Sequence, residues 1–354
     1  MKIVTIIGAR PQFIKSVPVS RELVKKEITE IIIHTGQHFS KDMNDIFFDQ
    51  LKIQKPDYFL NINKLSHGAM TGRMIEEIEI ILLKEKPDYV ILYGDTNSTL
   101  AGAIAASKLS VKIVHIEAGL RSFNMRMPEE VNRIITDRLS SLLFCPTDTA
   151  VKNLMDEGFN RFNCNIIKSG DVMLDALRLF APFQIKPKIK IPDKFVLCTI
   201  HREENTEDEN ILKSIFSALN SITEEIEIIL PLHPRTKKKI RELKLDVLLN
   251  DRVNIINPIG YLEMLYLLNN CTLVMTDSGG LQKEAFFLQK YCLTLRNETE
   301  WVELVNNGFN LICGTNTKFI VDCFNKSKAL VSDFNIDLFG KGKAAQIIVD
   351  NLAI

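Results

Sequence analysis

The sequence predicts an α/β fold made of two Rossmann-like, doubly wound lobes. Short runs rich in β-branched residues alternate with longer amphipathic segments, which is the pattern of a parallel sheet wrapped by helices. The pattern stops at the proline-containing segment 181–192 and then starts again. A chain of 354 residues is also longer than one hydrophobic core usually serves, so two domains are expected.

The first lobe is predicted over residues 1–180. Its strands are short apolar runs, and the segments between them, such as Gly72–Leu83 and Leu100–Leu109, carry apolar residues at helical spacing. A protein made of two lobes of this kind is expected to bind its ligand in the cleft between them. The predicted strands of the first lobe are Lys2–Ile7, Glu30–His34, Tyr89–Tyr93, Lys112–Ile116 and Leu142–Cys145.

The second lobe is predicted over residues 193–335, after the linker Ala181–Pro192. Residues 336–354 follow it, and Gly340–Leu352 within them has the pattern of a final helix. The predicted strands of this lobe are Phe195–Ile200, Glu227–Leu230, Val253–Ile256, Leu273–Met275 and Cys292–Leu295.

Composition excludes several classes of protein. Lysine plus arginine and aspartate plus glutamate number 44 each, so the zero net charge argues against nonspecific binding to nucleic acid or membranes. The seven cysteines are scattered, without a C-x-x-C pair, which indicates reduced thiols rather than a metal site or a disulfide framework. The opening apolar stretch Ile3–Ile7 is only as long as a strand. We therefore expect a cytoplasmic protein with neither a signal peptide nor a membrane span.

Four side chains suited to proton transfer lie where predicted strands end or loops begin a helix. They are Asp95, Glu117, Glu129 and His201. The carboxyl ends of parallel strands line the ligand crevice of such a sheet, so these groups suggest acid–base chemistry. A structural explanation exists for three of them: Asp95 could cap the next helix, Glu129 could be a first-turn acid, and His201 could cap a loop.

Two loops are suited to a phosphorylated ligand. The segment Gly8–Lys15 follows a strand and carries Arg10 and Lys15, although its spacing matches neither a dinucleotide fingerprint nor a P-loop. The turn Asp277–Gly280 precedes an apolar helix that carries Glu284, so backbone N–H groups could reach a diphosphate while the carboxylate holds ribose hydroxyls. His233, like His201, ends a predicted strand beside an arginine. The residues alone support a phosphorylated-ligand site with acid–base groups.

Six motifs, taken in order, resemble the non-hydrolysing UDP-N-acetylglucosamine 2-epimerase family nearly from end to end. The resemblance implies a two-lobed fold of the glycosyltransferase-B type, with the last helix crossing back to the first lobe. It also implies a homodimer that uses neither metal nor nicotinamide. The motifs are Gly8–Lys15, Gly94–Thr96, Glu117–Arg121, Pro128–Arg133, His201–Asn205 and Asp277–Glu284.

The resemblance also implies a reaction and roles for residues at matching positions. The family inverts C2 of a UDP-N-acetylhexosamine by eliminating UDP to a 2-acetamidoglucal and adding it back. Such a route needs a base, an acid on the opposite face and retention of the diphosphate. The acid–base set implied is Asp95, Glu117, Glu129 and His201, the UDP ligands are Arg10, His233, Ser278, Gly279, Gly280 and Glu284, and the supporting charges are Lys15 and Arg133.

Some segments resemble a subgroup that acts on UDP-2,3-diacetamido-2,3-dideoxy-glucuronic acid and makes the manno epimer for surface polysaccharide. These segments are Ser122–Glu129, Gly72–Met74 and Trp301–Val305. A uronate needs a cation for its C6 carboxylate, and we hypothesise that Arg126 or Arg121 supplies it; an exposed loop arginine is the plain alternative.

Gln37 and Arg73 resemble residues of the allosteric substrate site of some members of the family, whereas Ser40 replaces the glutamine expected there. Three other functions compete with that of a non-hydrolysing epimerase on UDP-GlcNAc or its diacetamido uronate. They are a glycosyltransferase on the same fold, a hydrolysing relative that releases UDP and free N-acetylmannosamine, and a catalytically silent nucleotide-sugar sensor.

Overall fold

The computed structural model describes residues 1–37, 54–232, 234–243, 245 and 249–352. The chain forms two compact units. Unit 1 contains Met1–Leu179 together with Asp337–Ile354, and unit 2 contains Phe180–Ile336. Each unit has its own parallel sheet flanked by helices, so the predicted pair of doubly wound lobes is confirmed.

Unit 1 is built on a seven-stranded sheet of order β3-β2-β1-β4-β5-β6-β7, in which all pairs are parallel. The order reverses direction between β1 and β4, which is the topological switch point of a doubly wound sheet. The strands are β1 (Lys2–Ile7), β2 (Thr29–His34), β3 (Tyr58–Phe59), β4 (Tyr89–Tyr93), β5 (Lys112–Ile116), β6 (Leu142–Cys145) and β7 (Asn165–Lys168).

The helices of unit 1 cover this sheet with apolar faces. Helix α3 lies so close that a Cβ on Gly102 would be 2.6 Å from Leu92 and 2.8 Å from Ile6, an approach that only glycine permits. The helices are α1 (Arg10–Lys25), α2 (His67–Glu85), α3 (Asn97–Lys108), α4 (Pro128–Leu139), α5 (Asp148–Asp156) and α6 (Val172–Phe180).

Unit 2 is built on a six-stranded parallel sheet of order β10-β9-β8-β11-β12-β13. Its strands are β8 (Phe195–Thr199), β9 (Glu227–Pro231), β10 (Val253–Ile256), β11 (Leu273–Thr276), β12 (Cys292–Thr294) and β13 (Asn310–Ile312). Its helices are α7 (Glu203–Glu207), α8 (Glu209–Ile222), α9 (Pro234–Glu242), α10 (Tyr261–Asn270), α11 (Gly279–Phe287), α12 (Val302–Asn306) and α13 (Thr317–Ser327).

Every strand predicted from the sequence is present, and three short edge or near-edge strands were missed. These are β3, β7 and β13, which have two, four and three residues. Runs this short carry too little alternation or apolar character to be distinguished from loops. They pair because a neighbouring strand presents its unpaired N–H and C=O groups.

The predicted linker 181–192 belongs to unit 2. It begins with a short 3₁₀ helix, Ala181–Phe183, and the Ile185 N–H donates to the Leu262 carbonyl at 3.1 Å. The last helix, α14 (Ala344–Asp350), belongs instead to unit 1. Asp175 accepts hydrogen bonds from the N–H groups of Ala344 and Ala345 at its start, and so anchors it to the first unit.

Candidate functional site

The carboxyl ends of β4 and β5 bring two predicted acid–base residues to one edge of the unit 1 sheet. Tyr93, the last residue of β4, pairs with Ile116, the last residue of β5. Asp95 and Glu117 follow within two residues of these positions. Because parallel strands in register end at the same edge, the fold places both carboxylates in the ligand-binding region of such a sheet.

Asp95 is held by two neighbours on helix α4. The Arg133 guanidinium, which is buried, donates through Nη2 to Asp95 Oδ2 and through Nη1 to Glu130 Oε2. The Asn132 amide donates to the Asp95 carbonyl at 2.9 Å. The Asp95 side chain is 31% exposed, so its carboxylate is fixed by Arg133 and still accessible from solvent.

Glu117 is paired with Lys15 of helix α1. The Nζ–Oε2 distance is 2.5 Å, and the two side chains are only 12% and 4% exposed. Glu117 also has a φ of +71°, an uncommon backbone conformation for a residue with a side chain. Its N–H and that of Ala118 both donate to the Phe144 carbonyl of β6, which holds the turn in this conformation. The predicted supporting charge Lys15 is thus in direct contact with a predicted acid–base residue.

The two glutamates at the start of α4 have different environments. Glu130 is fully buried and accepts hydrogen bonds from the Ser122 N–H at 3.0 Å and the Phe123 N–H at 2.9 Å. Burial alone would raise the pKa of the Glu130 carboxyl, but the Ser122 N–H and the Arg133 charge hold it below its ordinary value. Glu129 is half-buried and has no hydrogen-bond or ion-pair partner among the described residues, so its carboxylate is the one available for a ligand.

The two arginines considered for a substrate carboxylate also differ. Arg121 is buried: its Nε and Nη2 donate to Glu157 at 2.6 and 2.8 Å, and its Nη1 donates to Asp137 at 2.7 Å. These contacts occupy the guanidinium, so of the two hypothesised arginines only Arg126 presents its side chain to solvent. The loop before α4 holds Arg126 in place through a hydrogen bond from its N–H to Asn124 Oδ1.

The basic opening loop is tied to the Asp95 loop by Gln12, which the sequence analysis did not identify. Gln12 Oε1 accepts from the N–H groups of Gly8 and Ala9, and its Nε2 donates to the Tyr93 carbonyl at 2.7 Å. A glutamine three residues after a helix N-cap is the known signal for such a contact. Arg10 is the first residue of α1 and is partly exposed.

In the described part of the chain, the two residues predicted for allosteric binding share no hydrogen bond or ion pair with each other. Gln37 Oε1 accepts from the Ser98 N–H at 3.0 Å and from its hydroxyl at 2.8 Å. Arg73 is exposed on α2 and pairs with Glu76 one turn further on. Ser40, which bears on the same prediction, lies outside the described residues.

In unit 2, His201 follows β8 and is oriented by Asp277, which follows the adjacent strand β11. The Asp277 carboxylate lies 3.0 Å from His201 Nδ1 and accepts from the N–H groups of His201 and Arg202. Burial alone would raise the pKa of Asp277, but its contacts with His201 and these N–H groups hold it below the ordinary value. With Nδ1 turned to Asp277, the 56% exposed imidazole presents Nε2 outward for proton transfer.

The glycine turn after β11 starts helix α11. Ser278 is its N-cap, and a Cβ on Gly279 would be 2.2 Å from Glu300 Oε1, so a larger residue would displace the Glu300 side chain. Glu284 is buried on the same helix and accepts from the Tyr261 hydroxyl at 2.9 Å. Lys283 beside it is also buried, with Nζ 4.1 Å from the Trp301 ring, and it was not singled out from the sequence. His233 lies outside the described residues.

Two features are absent from the described part of the chain. No cluster of three or more histidine, cysteine, aspartate or glutamate side chains in them has the arrangement of a metal site. None of their helices is both long enough and apolar enough to cross a membrane.

Comparison with known proteins identifies the family. The family model described as UDP-N-acetylglucosamine 2-epimerase matches residues 21–353. The chain belongs to this family. A Pseudomonas aeruginosa relative, named UDP-2,3-diacetamido-2,3-dideoxy-D-glucuronate 2-epimerase, is 53% identical over 356 residues, covering 100% of this chain and 99% of the relative.

Solved structures of the epimerase family resemble the whole chain. The Methanocaldococcus jannaschii UDP-GlcNAc 2-epimerase in complex with UDP-GlcNAc and UDP is 42% identical, with a TM-score of 0.89 and 99% of each chain covered. The Neisseria meningitidis enzyme bound to UDP-GlcNAc is 34% identical, with a TM-score of 0.88 and the same coverage. The predicted family and its two-lobed fold of the glycosyltransferase-B type are therefore confirmed.

Proposed function

We propose that this chain is a non-hydrolysing UDP-sugar 2-epimerase that acts on UDP-2,3-diacetamido-2,3-dideoxy-glucuronate and forms the manno epimer for a surface polysaccharide. Its membership of the epimerase family supports the reaction class. The substrate is supported by the 53% identity to the Pseudomonas aeruginosa relative of that name, which exceeds the 50% and 46% identities to two Methanococcus maripaludis relatives named UDP-N-acetylglucosamine 2-epimerase homolog and UDP-N-acetylglucosamine 2-epimerase.

The C2 hydrogen of such a sugar is not next to a carbonyl, so simple removal of the proton is difficult. We propose that the C1–O bond to UDP breaks as the C2–H bond breaks, which leaves a C1=C2 double bond in a 2-acetamidoglucal. A proton then adds to C2 on the opposite face while the UDP oxygen re-forms its bond to C1. Atoms and charge balance, because the same UDP leaves and returns and one proton is lost and gained.

The observation that carries this proposal is the pair of carboxylates at the ends of adjacent strands in unit 1. Asp95 and Glu117 each contact a cation, Arg133 and Lys15, that fixes the position of the carboxylate. Proton transfer to and from a carbon needs acid–base groups held in defined positions. We propose Glu129, which has no partner among the described residues, and His201 as the other members of the acid–base set.

We propose that unit 2 supplies most of the UDP contacts. The Ser278-Gly279-Gly280 turn opens α11, and N–H groups at the start of a helix stabilise a negatively charged diphosphate. We propose that Glu284, on the same helix, holds the ribose hydroxyls. The family resemblance adds His233, and Arg10 at the start of α1 in unit 1.

The C6 carboxylate of a uronate needs a cation, and we propose Arg126 for that role. It is exposed in the loop before α4, whereas the Arg121 guanidinium is engaged by Asp137 and Glu157. An arginine can bind a carboxylate through two parallel hydrogen bonds, which gives both affinity and orientation.

The experiment is incubation of the purified protein in D₂O with UDP-2,3-diacetamido-glucuronate and, separately, with UDP-GlcNAc, followed by proton NMR. Deuterium at C2 of the uronate, together with a manno product, is expected. Exchange of UDP-GlcNAc instead would assign the general epimerase, and exchange of neither would refute the reaction class.

The same samples distinguish the competing functions. Accumulation of free UDP with a free aminosugar would indicate the hydrolysing relative. Sugar transfer that depends on an added acceptor would indicate a glycosyltransferase, and binding without any turnover would indicate a sensor.

We further propose that the enzyme acts in the cytoplasm as a homodimer, and that Gln37 and Arg73 contribute to an allosteric substrate site. The free thiols of all seven cysteines are consistent with a reducing compartment. Analytical ultracentrifugation tests the dimer. A sigmoidal dependence of the rate on substrate, lost in Arg73→Ala, tests the allosteric site; hyperbolic kinetics in the wild type would contradict it.

A further inference from the structure

A buried charge network lies behind the two turns that carry the predicted carboxylates of unit 1. His115 lies on β5, two residues before Glu117, and its ring is fully buried. Its Nδ1 is 2.6 Å from Asp137 Oδ1, and Asp137 Oδ2 accepts from Arg121 Nη1 at 2.7 Å. Arg121 in turn contacts Glu157, so its guanidinium bridges two carboxylates.

Both nitrogens of the His115 ring face hydrogen-bond acceptors. Nδ1 faces the Asp137 carboxylate, and Nε2 lies 2.7 Å from the Gly94 carbonyl. A neutral imidazole has one N–H and can donate to only one of these acceptors, so both contacts are hydrogen bonds only when each nitrogen carries a proton. Burial alone would raise the pKa of Asp137, but the charges of His115 and Arg121 and their hydrogen bonds hold it below its ordinary value.

The network holds the backbone at two points. His115 Nε2 lies against the Gly94 carbonyl, and the Gly94 N–H donates to the Ile116 carbonyl, so β5 holds the peptide units on both sides of the Gly94 Cα, the second of which joins Gly94 to Asp95. Gly94 has a φ of +62°, so this orientation is not one that most residues adopt. On the other side of the ring, Asp137 Oδ2 accepts from the Gly119 N–H at 3.1 Å, two residues after Glu117.

We propose that His115 is a positioning residue for the epimerase reaction: through the Gly94 carbonyl it sets the orientation of the peptide before Asp95, and through Asp137 it couples that turn to the Glu117 turn. The inference rests on the proposed function, because it concerns the carboxylates assigned there. The buried ring does not reach a ligand, so His115 acts through these two turns and is not itself a catalytic residue. The charged and titratable groups around it are Asp137, Arg121, Glu157 and Cys145 of β6.

Two variants separate the two contacts of the ring. In His115→Gln, the amide nitrogen takes the place of Nε2 and can still donate to Gly94, while the contact with Asp137 is lost. In His115→Asn, the amide nitrogen takes the place of Nδ1 and can still donate to Asp137, while the contact with Gly94 is lost. Both variants replace the imidazole ring with a smaller amide side chain. They therefore provide a matched pair with similar losses of packing.

We expect kcat for C2 exchange to fall about 100-fold in His115→Asn, the size of effect that a misplacement of about 1 Å produces. KM and the affinity for UDP should change less than about twofold, because the UDP contacts are elsewhere. His115→Gln should keep kcat within about fivefold of the wild type, because Arg121 still holds Asp137, and Asp137 still accepts from the Gly119 N–H of the Glu117 turn. Glu30→Gln is the control for a change at a buried carboxyl group: Glu30 is buried near the start of β2 and accepts a hydrogen bond from Thr5.

Equal losses of kcat in both variants, in proportion to their losses in melting temperature, would overturn the proposal and leave a structural role only. A wild-type kcat in His115→Asn would overturn it too. The histidine ring signals of ¹⁵N-labelled wild-type protein provide a check that does not depend on activity. A single protonated nitrogen on His115 would contradict the proposed contacts even if no UDP-sugar were epimerised, so a failure of the proposed function is recognised separately.

Discussion

His34 provides a quantitative test of the packing of unit 1. Its ring lies at the end of β2 between Phe13 and Phe59, with ring centroids 4.7 and 4.8 Å away, and the side chain is buried. Nδ1 accepts the Gly36 N–H at 2.8 Å, so this nitrogen carries no proton in the folded protein. A charged imidazolium would lose this hydrogen bond and its hydration together.

Burial lowers the pKa of His34 from 6.5 to about 4. Below pH 6.5 the unfolded chain therefore takes up a proton at this site that the folded protein does not bind, and acidification favours unfolding. The difference between these two pKa values corresponds to roughly 3 kcal/mol of folding stability, which is lost as the pH falls from 6.5 to about 4. Between pH 7 and pH 5 the loss from this one group is about 2 kcal/mol.

The substitution that tests this is His34→Asn, which keeps an acceptor for the Gly36 N–H and removes the titrating ring. The lost packing lowers stability equally at every pH, so only the pH dependence matters. The one tryptophan, Trp301, lies in unit 2, so its fluorescence does not report on this site. Hydrogen exchange in peptides from β1 and β2, corrected for the intrinsic rate, reports opening of unit 1.

From pH 7 to pH 5, the opening free energy of the wild type should fall by about 2 kcal/mol more than that of His34→Asn. His67→Asn, which changes an exposed histidine at the start of α2, is the control and should follow the wild type. If His34→Asn and the wild type lose the same free energy over this interval, the imidazole is not held neutral by burial and the reasoning is wrong.

Three further predictions follow from the site. Lys15→Met removes the cation that pairs with the buried Glu117 carboxylate, so C2 exchange should fall by at least about 100-fold and unit 1 should lose about 3 kcal/mol; exchange and melting curves measure both, and unchanged exchange would contradict the assignment of this pair. Arg126→Ala should lower kcat/KM for the uronate by about tenfold or more and leave that for UDP-GlcNAc unchanged; equal effects on both substrates would argue against a C6 contact. Gly119→Ala places a Cβ 2.3 Å from the Ala150 carbonyl at a φ of +77°, so a loss of several kcal/mol is expected in a melting experiment, and a stable, active variant would refute it.

The sequence determined the strands and predicted acid–base chemistry at their ends. Alternating β-branched and amphipathic segments identified each long strand, because a parallel sheet buried on both faces needs apolar runs of that length. Asp95, Glu117 and His201 were found for a related reason: in such a sheet a polar residue directly after a strand has no place in the core. The short strands β3, β7 and β13 were missed, because pairing with a neighbour rather than local composition makes them strands.

The partners of these strand-end residues are known only from the tertiary structure. Arg133 is distant from Asp95 in sequence, and Lys15 is further still from Glu117, yet each pair is in contact. The two candidate arginines, Arg121 and Arg126, lie in the same stretch of the sequence, and the structure distinguishes them because Asp137 and Glu157 engage Arg121. Spacing along the chain specifies which side chains leave a strand at its end. It does not specify which charges meet across neighbouring elements, because those contacts depend on sheet order and helix packing.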